Sequence, residues 1–199
     1  MSLQAALSQI KERIQQIPRK GIREALQFQE LTATRISEVV GKYAVIKESL
    51  SMTRYKYQNI ALFEIHTAKR EGIPRIIALP QSMEGVQEAI DKFHTIQEGP
   101  VYRISERTIS AYCEEYFKDL TYGIEAYNLP TYYGEYKKIE KHQRRPTTHF
   151  LRHWRLTELS TIYGFDDIDL SIFAGWALRG MASRYVTVQW SRYIDKLLR

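Results

Sequence analysis

Two short runs with the composition of β-strands interrupt a chain whose apolar residues otherwise recur at helical spacing. Residues 59–66 and 75–79 are rich in Ile, Leu and Ala, and a polar connection that contains Gly72 joins them. Two such runs on either side of a Gly-containing connection are typical of a β-hairpin with a long loop. The expected fold class is therefore α+β, mostly helical with a small antiparallel sheet or hairpin.

The first helical segment is separable from the rest of the chain. Residues 3–16 place their apolar side chains at three-to-four spacing, which predicts an amphipathic helix that ends near Pro18. This helix either packs on the domain or is the remnant of a linker. We expect an N-terminal helix or linker remnant over residues 1–19 and one domain over residues 20–199.

Helical periodicity continues on both sides of the predicted hairpin. Helices are predicted over residues 21–42, 82–97, about 105–120, a segment carrying His149 and Arg152, about 166–176, a segment around Tyr185, and 189–199. Gly164 and Gly175 are expected to separate the last of these helices. Residues 121–136 have no clean period and are predicted to form a loop.

Charge and cysteine usage favour an intracellular protein that approaches a polyanion. Lys and Arg number 29 against 23 Asp and Glu, which gives a formal charge of +6 and an isoelectric point near 9.3. Such a chain is attracted to DNA, although many basic proteins bind no nucleic acid. Cys113 is the single cysteine and is expected to be a packed thiol in a reducing compartment. No apolar run has the length of a membrane span or the form of a signal peptide, so we expect a soluble, cytoplasmic protein with no membrane partner.

Six residues that suit phosphodiester chemistry lie in order along the chain. They are Arg35, Lys69, His149, Arg152, Trp176 and Tyr185. His149 and Arg152 form a His-x-x-Arg box, a Gly-Trp pair follows it, and Tyr185 lies nine residues beyond Trp176. Upstream, Arg35 stands three places before an acidic residue, Glu38, and the predicted hairpin carries a lysine near its tip.

This order resembles that of the catalytic domain of the tyrosine recombinases, the phage integrase family, over about residues 20–199. The resemblance implies a nucleophile at Tyr185. A phenol with a pKa near 10 is a poor nucleophile at neutral pH, and a phosphodiester repels anions, so the attack requires cations fixed around the phosphate. The resemblance assigns that task to Arg35 and Arg152, whose planar forks donate paired hydrogen bonds to non-bridging oxygens.

The same resemblance implies roles for the remaining residues. Lys69 on the hairpin would protonate the departing 5′-oxygen. His149 would either take the phenolic proton or hydrogen-bond the phosphate, and Trp176 would donate its indole N–H to a phosphate oxygen. Glu38 is expected to hold the helix that carries the first arginine, and His153 to help orient the phosphate.

Taken singly, each of these residues has an ordinary explanation. An arginine beside a glutamate is usually an ion pair, a lysine in a turn is usually solvated, and a tryptophan in an apolar segment usually belongs to the core. Only their joint order supports the interpretation. A basic run before the His149 helix also has two interpretations, an ordinary solvated face or contact with the DNA backbone. It contains Lys137, Lys138, Lys141, His142, Arg144 and Arg145.

The activity that the resemblance implies is site-specific DNA recombination or integration through a 3′-phosphotyrosyl intermediate. The covalent link stores the energy of the broken bond, so no cofactor is expected, neither ATP nor metal. The implied partners are double-stranded DNA, including host-cell DNA, and further copies of the chain in a tetramer on DNA. Two alternatives remain: a nicking and closing enzyme similar to type IB topoisomerases, and a non-catalytic DNA-binding module of the same fold.

The chain also departs from the family pattern. Most relatives carry a separate helical domain that completes a clamp around the duplex, so we expect tight, selective binding to need more than these residues. Ala33 stands where the arginine box usually has glycine, and Trp176 stands where histidine is commoner. The apolar tail after Tyr185 either docks on a neighbouring protomer or folds back on its own domain.

Overall fold

The computed structural model describes residues 3–70, 72–118, 120, 148–176 and 190–199. Several predicted features lie outside these residues. They are Tyr185 and its helix, the loop over 121–136, and the basic run Lys137, Lys138, Lys141, His142, Arg144 and Arg145.

Three helices form the N-terminal part of the structure. They are α1 (Leu3–Gln15), α2 (Lys20–Thr32) and the short α3 (Ile36–Val39). The apolar face of α1 is buried in the same core as the other elements, with Ile10 and Ile14 each only 2% exposed, so this helix packs on the domain. The periodic segment predicted over 21–42 is broken at Ala33, which adopts the left-handed conformation (φ 50°, ψ 30°) at the end of α2.

A three-stranded antiparallel sheet follows, in the order β1 (Leu50–Tyr55), β2 (Gln58–His66) and β3 (Pro74–Pro80). In the register of the sheet, Phe63 of β2 lies opposite Leu50 on one side and Ile77 on the other. The predicted hairpin is β2 and β3, and the strand before it is an addition to the prediction. A 3₁₀ turn, Ala68–Arg70, carries Lys69 in the connection between β2 and β3.

Five more helices complete the described structure. They are α4 (Val86–His94), α5 (Glu106–Phe117), α6 (His149–Thr161), α7 (Asp167–Ala174) and α8 (Ser191–Leu197). Gly164 (φ 68°) and Gly175 (φ 69°) lie beyond the ends of α6 and α7 in the left-handed conformation, as expected of residues that separate helices. Mostly helical elements with a small antiparallel sheet make the fold class α+β, as predicted. None of the helices in the described ranges combines the length and the apolar character that a membrane crossing requires.

One aromatic cluster joins the helices to the sheet. The rings of Phe28, Phe63 and Phe93, from α2, β2 and α4, have centroids 5.3–5.6 Å apart, a spacing typical of favourable aromatic pairs. Cys113 of α5 is buried in the same core, and its burial raises the pKa of the thiol to about 12. The expectation of a packed thiol is therefore confirmed.

The C-terminal helix α8 folds back on its own domain. Tyr193 and Ile194 are fully buried, and the Tyr193 hydroxyl accepts a hydrogen bond of 2.8 Å from the backbone N–H of Ala78 in β3. Because β3 lies at an edge of the sheet, no other strand among the described residues would accept a bond from this N–H. The described part of the tail thus follows the second of its two predicted arrangements.

Replacing Tyr193 by phenylalanine should lower the free energy of unfolding by about 1–3 kcal/mol, because the buried N–H of Ala78 then loses its acceptor. Urea unfolding measures the difference. Tyr112→Phe is the matched control, since Tyr112 is a partly exposed tyrosine stacked on Tyr116, and a change within about 0.5 kcal/mol is expected there. Equal values for the two variants would show that the Tyr193 hydroxyl does not stabilise the sheet edge.

Candidate active site

Arg35 lies between two helices and is held by the carboxylate of Glu38. It immediately precedes α3, and the two Glu38 oxygens accept hydrogen bonds of 2.9 Å from its backbone N–H and from its Nη1. The Arg35 side chain is 11% exposed and that of Glu38 is fully buried. This ion pair fixes the direction of the arginine at the start of the helix.

Lys69 lies on the turn between β2 and β3. The turn is closed by backbone bonds from Thr67 N–H to Ile73 O and from Gly72 N–H to Thr67 O. Its backbone is also attached to the α3 segment, because the N–H of Ala68 donates to Glu38 Oε1 at 3.1 Å. The Lys69 side chain is exposed, so the structure presents an accessible ammonium group on an anchored turn.

Helix α6 contributes His149 and Arg152, whose three-residue spacing places them on one face. Arg152 is 5% exposed and lies between two chain segments: its Nη1 donates to the carbonyl of Ala33, and its Nη2 donates to the carbonyl of Ala174 at 2.8 Å. The start of α6 is fixed as well, since the buried Gln29 side chain donates to the carbonyl of Thr148 at 2.8 Å.

Trp176 follows the left-handed Gly175 at the end of α7. Its backbone N–H donates to the carbonyl of Ser171 at 2.9 Å, and its ring centroid lies 6.0 Å from Cζ of Arg152. The side chain is 43% exposed, an unusual value for a residue this large. The indole of such a partly exposed tryptophan beside a buried arginine has an N–H that is a suitable donor for an anionic ligand.

Positive charge is concentrated where these segments meet. Burial, together with repulsion from Arg35 and Arg75, lowers the pKa of Arg152 to about 9, so its guanidinium remains charged at neutral pH. Burial and the charges of Arg152, Arg35 and Lys69 lower the pKa of His149. The imidazole is therefore neutral at pH 7 and can accept a proton. A site with this excess of cations favours an anion.

The structure brings together five of the six residues that the sequence singled out. Arg35, Lys69, His149, Arg152 and Trp176 come from four separate segments and act on one another through contacts or charge. Tyr185, the sixth residue, lies outside the described residues.

Glu38 and His153 were expected to support the site, and the structure shows the supporting contacts of Glu38. Glu38 does hold the segment that carries Arg35, by the two bonds described above. His153 lies on α6 with its ring 6.2 Å from that of Trp154, and the partial burial of the imidazole lowers its pKa. Its role towards a phosphate stays a prediction.

Sequence reasoning missed Arg75 at the start of β3. Its Nη2 donates to Glu38 Oε2 at 3.1 Å, so the same carboxylate holds two arginines. Burial alone would raise the pKa of Glu38, but Arg75 and the N–H groups of Arg35 and Ala68 hold it below its ordinary value. The only sequence signal was an arginine at the edge of an apolar strand, a position that is usually solvated.

Within the described ranges, no group of three or more His, Cys, Asp and Glu side chains is arranged to hold a metal ion. Comparison of the chain with protein-family models, with curated proteins and with solved structures gave no match.

Proposed function

We propose that this chain is the catalytic domain of a tyrosine recombinase, with the fold of that family, and that it cleaves and rejoins DNA strands through a phosphotyrosyl intermediate. One observation carries the proposal: two arginines, a lysine, a histidine and a tryptophan, far apart in sequence and in the order of that family, converge on one cationic site. Each of them has the chemistry that attack on a phosphodiester needs.

The scissile phosphate would bind between Arg35 and Arg152. A guanidinium carries five N–H groups, and Arg152 commits one of its Nη1 and one of its Nη2 hydrogens to backbone carbonyls. Its other N–H groups have no protein acceptor among the described residues and would donate to the non-bridging oxygens. Binding of an anion would also relieve the repulsion between Arg152 and the neighbouring Arg35 and Arg75. Trp176 would add its indole N–H to the same phosphate.

In the reaction, the Tyr185 hydroxyl oxygen attacks the phosphorus and forms a phosphotyrosyl bond while the bond from phosphorus to the 5′-oxygen breaks. The neutral imidazole of His149 takes up the phenolic proton, and Lys69 donates a proton to the departing 5′-oxygen. A 5′-hydroxyl, from the same or another strand, then attacks the phosphotyrosine and restores the phosphodiester. Bond energy is conserved in each step, so the cycle needs no external energy source.

The test is to incubate the protein with supercoiled plasmid and with nicked duplexes, without metal or ATP, and to look for a denaturant-stable protein–DNA adduct. We expect an adduct from the unaltered chain and from Tyr57→Phe, which alters a tyrosine that is 90% exposed, but none from Tyr185→Phe. Resolution of a four-way junction would support recombination. Relaxation of plasmid without exchange of strands would point to a nicking and closing enzyme. DNA binding without any adduct would favour a non-catalytic module and contradict the proposal.

A further inference from the structure

Arg75 bonds to three of the segments that build the candidate active site, although it is nearly covered itself. We propose that Arg75 is a positioning residue that holds the turn bearing Lys69 against the segment bearing Arg35, so that the lysine reaches the departing 5′-oxygen. The part of this inference that concerns the 5′-oxygen rests on the proposed function. The geometric part, in which Arg75 anchors the turn, does not depend on it.

Each of the three guanidinium nitrogens of Arg75 donates a hydrogen bond. Nη1 donates to Thr67 Oγ1 at 3.0 Å, Nη2 to Glu38 Oε2 at 3.1 Å, and Nε to the carbonyl of Phe173 at 3.1 Å. These acceptors belong to the β2–β3 connection, to α3 and to α7. An ammonium group on a lysine stem has no rigid fork that could keep three such acceptors in fixed directions.

The Lys69 turn is fixed at the two residues that precede the lysine. Thr67 receives the bond from Arg75, and the N–H of Ala68 donates to Glu38, whose other oxygen accepts from Arg75. Glu38 also binds Arg35. Arg75 and Glu38 therefore connect the backbone beside the proposed general acid to one of the arginines that would hold the phosphate.

Close packing at Gly175 places Arg75 beside the Trp176 segment as well. A Cβ atom on Gly175 would lie 2.8 Å from Cδ of Arg75, and Gly175 has a φ of +69°, so both space and backbone conformation require glycine there. The Arg75 side chain is only 8% exposed. It thus lies beneath the site, where it acts on DNA through its neighbours and not by contact.

Limited trypsin digestion tests the geometric part without any DNA. The bond after Lys69 lies in the turn, and trypsin cleaves there only when the turn opens. In Arg75→Gln we expect cleavage after Lys69 to be about tenfold faster or more, because charged hydrogen bonds that close the turn are lost. The control is Arg54→Gln, an exposed arginine of β1 in the same sheet, for which the rate should be unchanged. Equal rates for Arg75→Gln and the unaltered chain would overturn the inference.

The catalytic part is tested with a DNA strand whose scissile 5′-oxygen is replaced by sulfur. A thiol has a pKa near 8.5, far below that of an alcohol, so the sulfur departs without help from a general acid. On ordinary DNA, Lys69→Ala and Arg75→Gln should both form the adduct about 10²–10⁴-fold more slowly than the unaltered chain. On the sulfur substrate both should recover most of that loss. Arg35→Ala should stay slow on both substrates, since it would lose phosphate binding.

Equal slowing of Arg75→Gln on the two substrates would mean that Arg75 only supports the fold, and it would overturn the proposal. If circular dichroism shows that Arg75→Gln does not fold, Arg75→Lys is the second variant. It keeps the charge beside Glu38 but lacks the planar fork of donors. We expect its rate of adduct formation to recover in the same way on the sulfur substrate. If the unaltered chain forms no adduct on either substrate, the proposed function fails, and the trypsin rates alone decide whether Arg75 anchors the turn.

Discussion

Arg152→Lys is expected to form the covalent DNA adduct about 10²–10³-fold more slowly than the unaltered protein, the usual effect of removing one fixed donor from a developing anion. A lysine keeps the positive charge, but it cannot donate to the carbonyls of Ala33 and Ala174 and also present paired N–H groups to a phosphate. Single-turnover adduct formation on a nicked duplex measures the change.

A second buried arginine on α6 provides the control for this prediction. Arg155 is 3% exposed, bonds to the carbonyl of Leu31 at 3.1 Å and pairs with Glu158 at 2.5 Å. Arg155→Lys should therefore lower stability without slowing the adduct per folded molecule. If the two variants lose activity equally, Arg152→Lys slows the adduct only by disturbing the fold, and the proposed role of Arg152 at the phosphate is wrong.

Inorganic phosphate tests anion binding at Arg152 without DNA. Because burial and neighbouring arginines lower the pKa of Arg152 to about 9, its charge destabilises the folded chain at neutral pH, and a bound anion should offset that cost. Phosphate should raise the thermal midpoint of the unaltered chain and of Arg155→Lys above that in chloride of equal ionic strength. Arg152→Met should show no such difference.

The sequence predicts most elements of this fold because their patterns are local. The hairpin strands carry apolar residues that are buried in the sheet, such as Phe63 and Ile77, and a helix such as α1 has a continuous apolar face. Gly164 and Gly175 fall where the backbone turns left-handed, a conformation that glycine adopts at no steric cost. Each of these signals is contained within a few neighbouring residues.

Two errors in the predicted elements have the same physical origin. β1 was missed because Lys56 (φ 44°) and Tyr57 (φ 67°) make the tight left-handed turn into β2, where Asn and Gly are the usual signal. The segment over 21–42 was predicted as one periodic helix from the spacing of its apolar residues, but Ala33, although alanine favours helices, adopts φ 50° between α2 and α3. In both places tertiary packing overrides the local preference of the residue.

The candidate site was only partly visible in the sequence. The residues that converge were singled out by their order and by resemblance, not by a local pattern. Arg75 was missed because its acceptors on Thr67, Glu38 and Phe173 are distributed over most of the chain. A hydrogen-bonded network of this kind depends on how segments pack, and no local periodicity encodes it.

Glu38→Gln is expected to lower the free energy of unfolding by about 3–5 kcal/mol, the typical cost of removing one partner from a buried ion pair. The carboxylate accepts four hydrogen bonds, from the backbone and side chain of Arg35, from Ala68 and from Arg75. A glutamine offers one oxygen, and its amide hydrogens would oppose the N–H donors. The positive charges of Arg35, Arg75 and Arg152 would then lie together without the buried anion. Urea unfolding at pH 7 measures the loss.

Glu64→Gln is the control, since Glu64 lies on β2 with a 48% exposed side chain 3.3 Å from His66, and its loss should cost less than about 1 kcal/mol. The pH dependence gives an independent check. Because the folded pKa of Glu38 is lowered, its stabilisation is present above the unfolded pKa near 4.3 and is lost as the pH falls through the folded value. The difference between the unaltered chain and Glu38→Gln should therefore be largest at neutral pH and shrink below about pH 4. A difference that stays constant between pH 7 and pH 3 would show that the charge of Glu38 does not hold the arginines, and that its shape alone supports the fold.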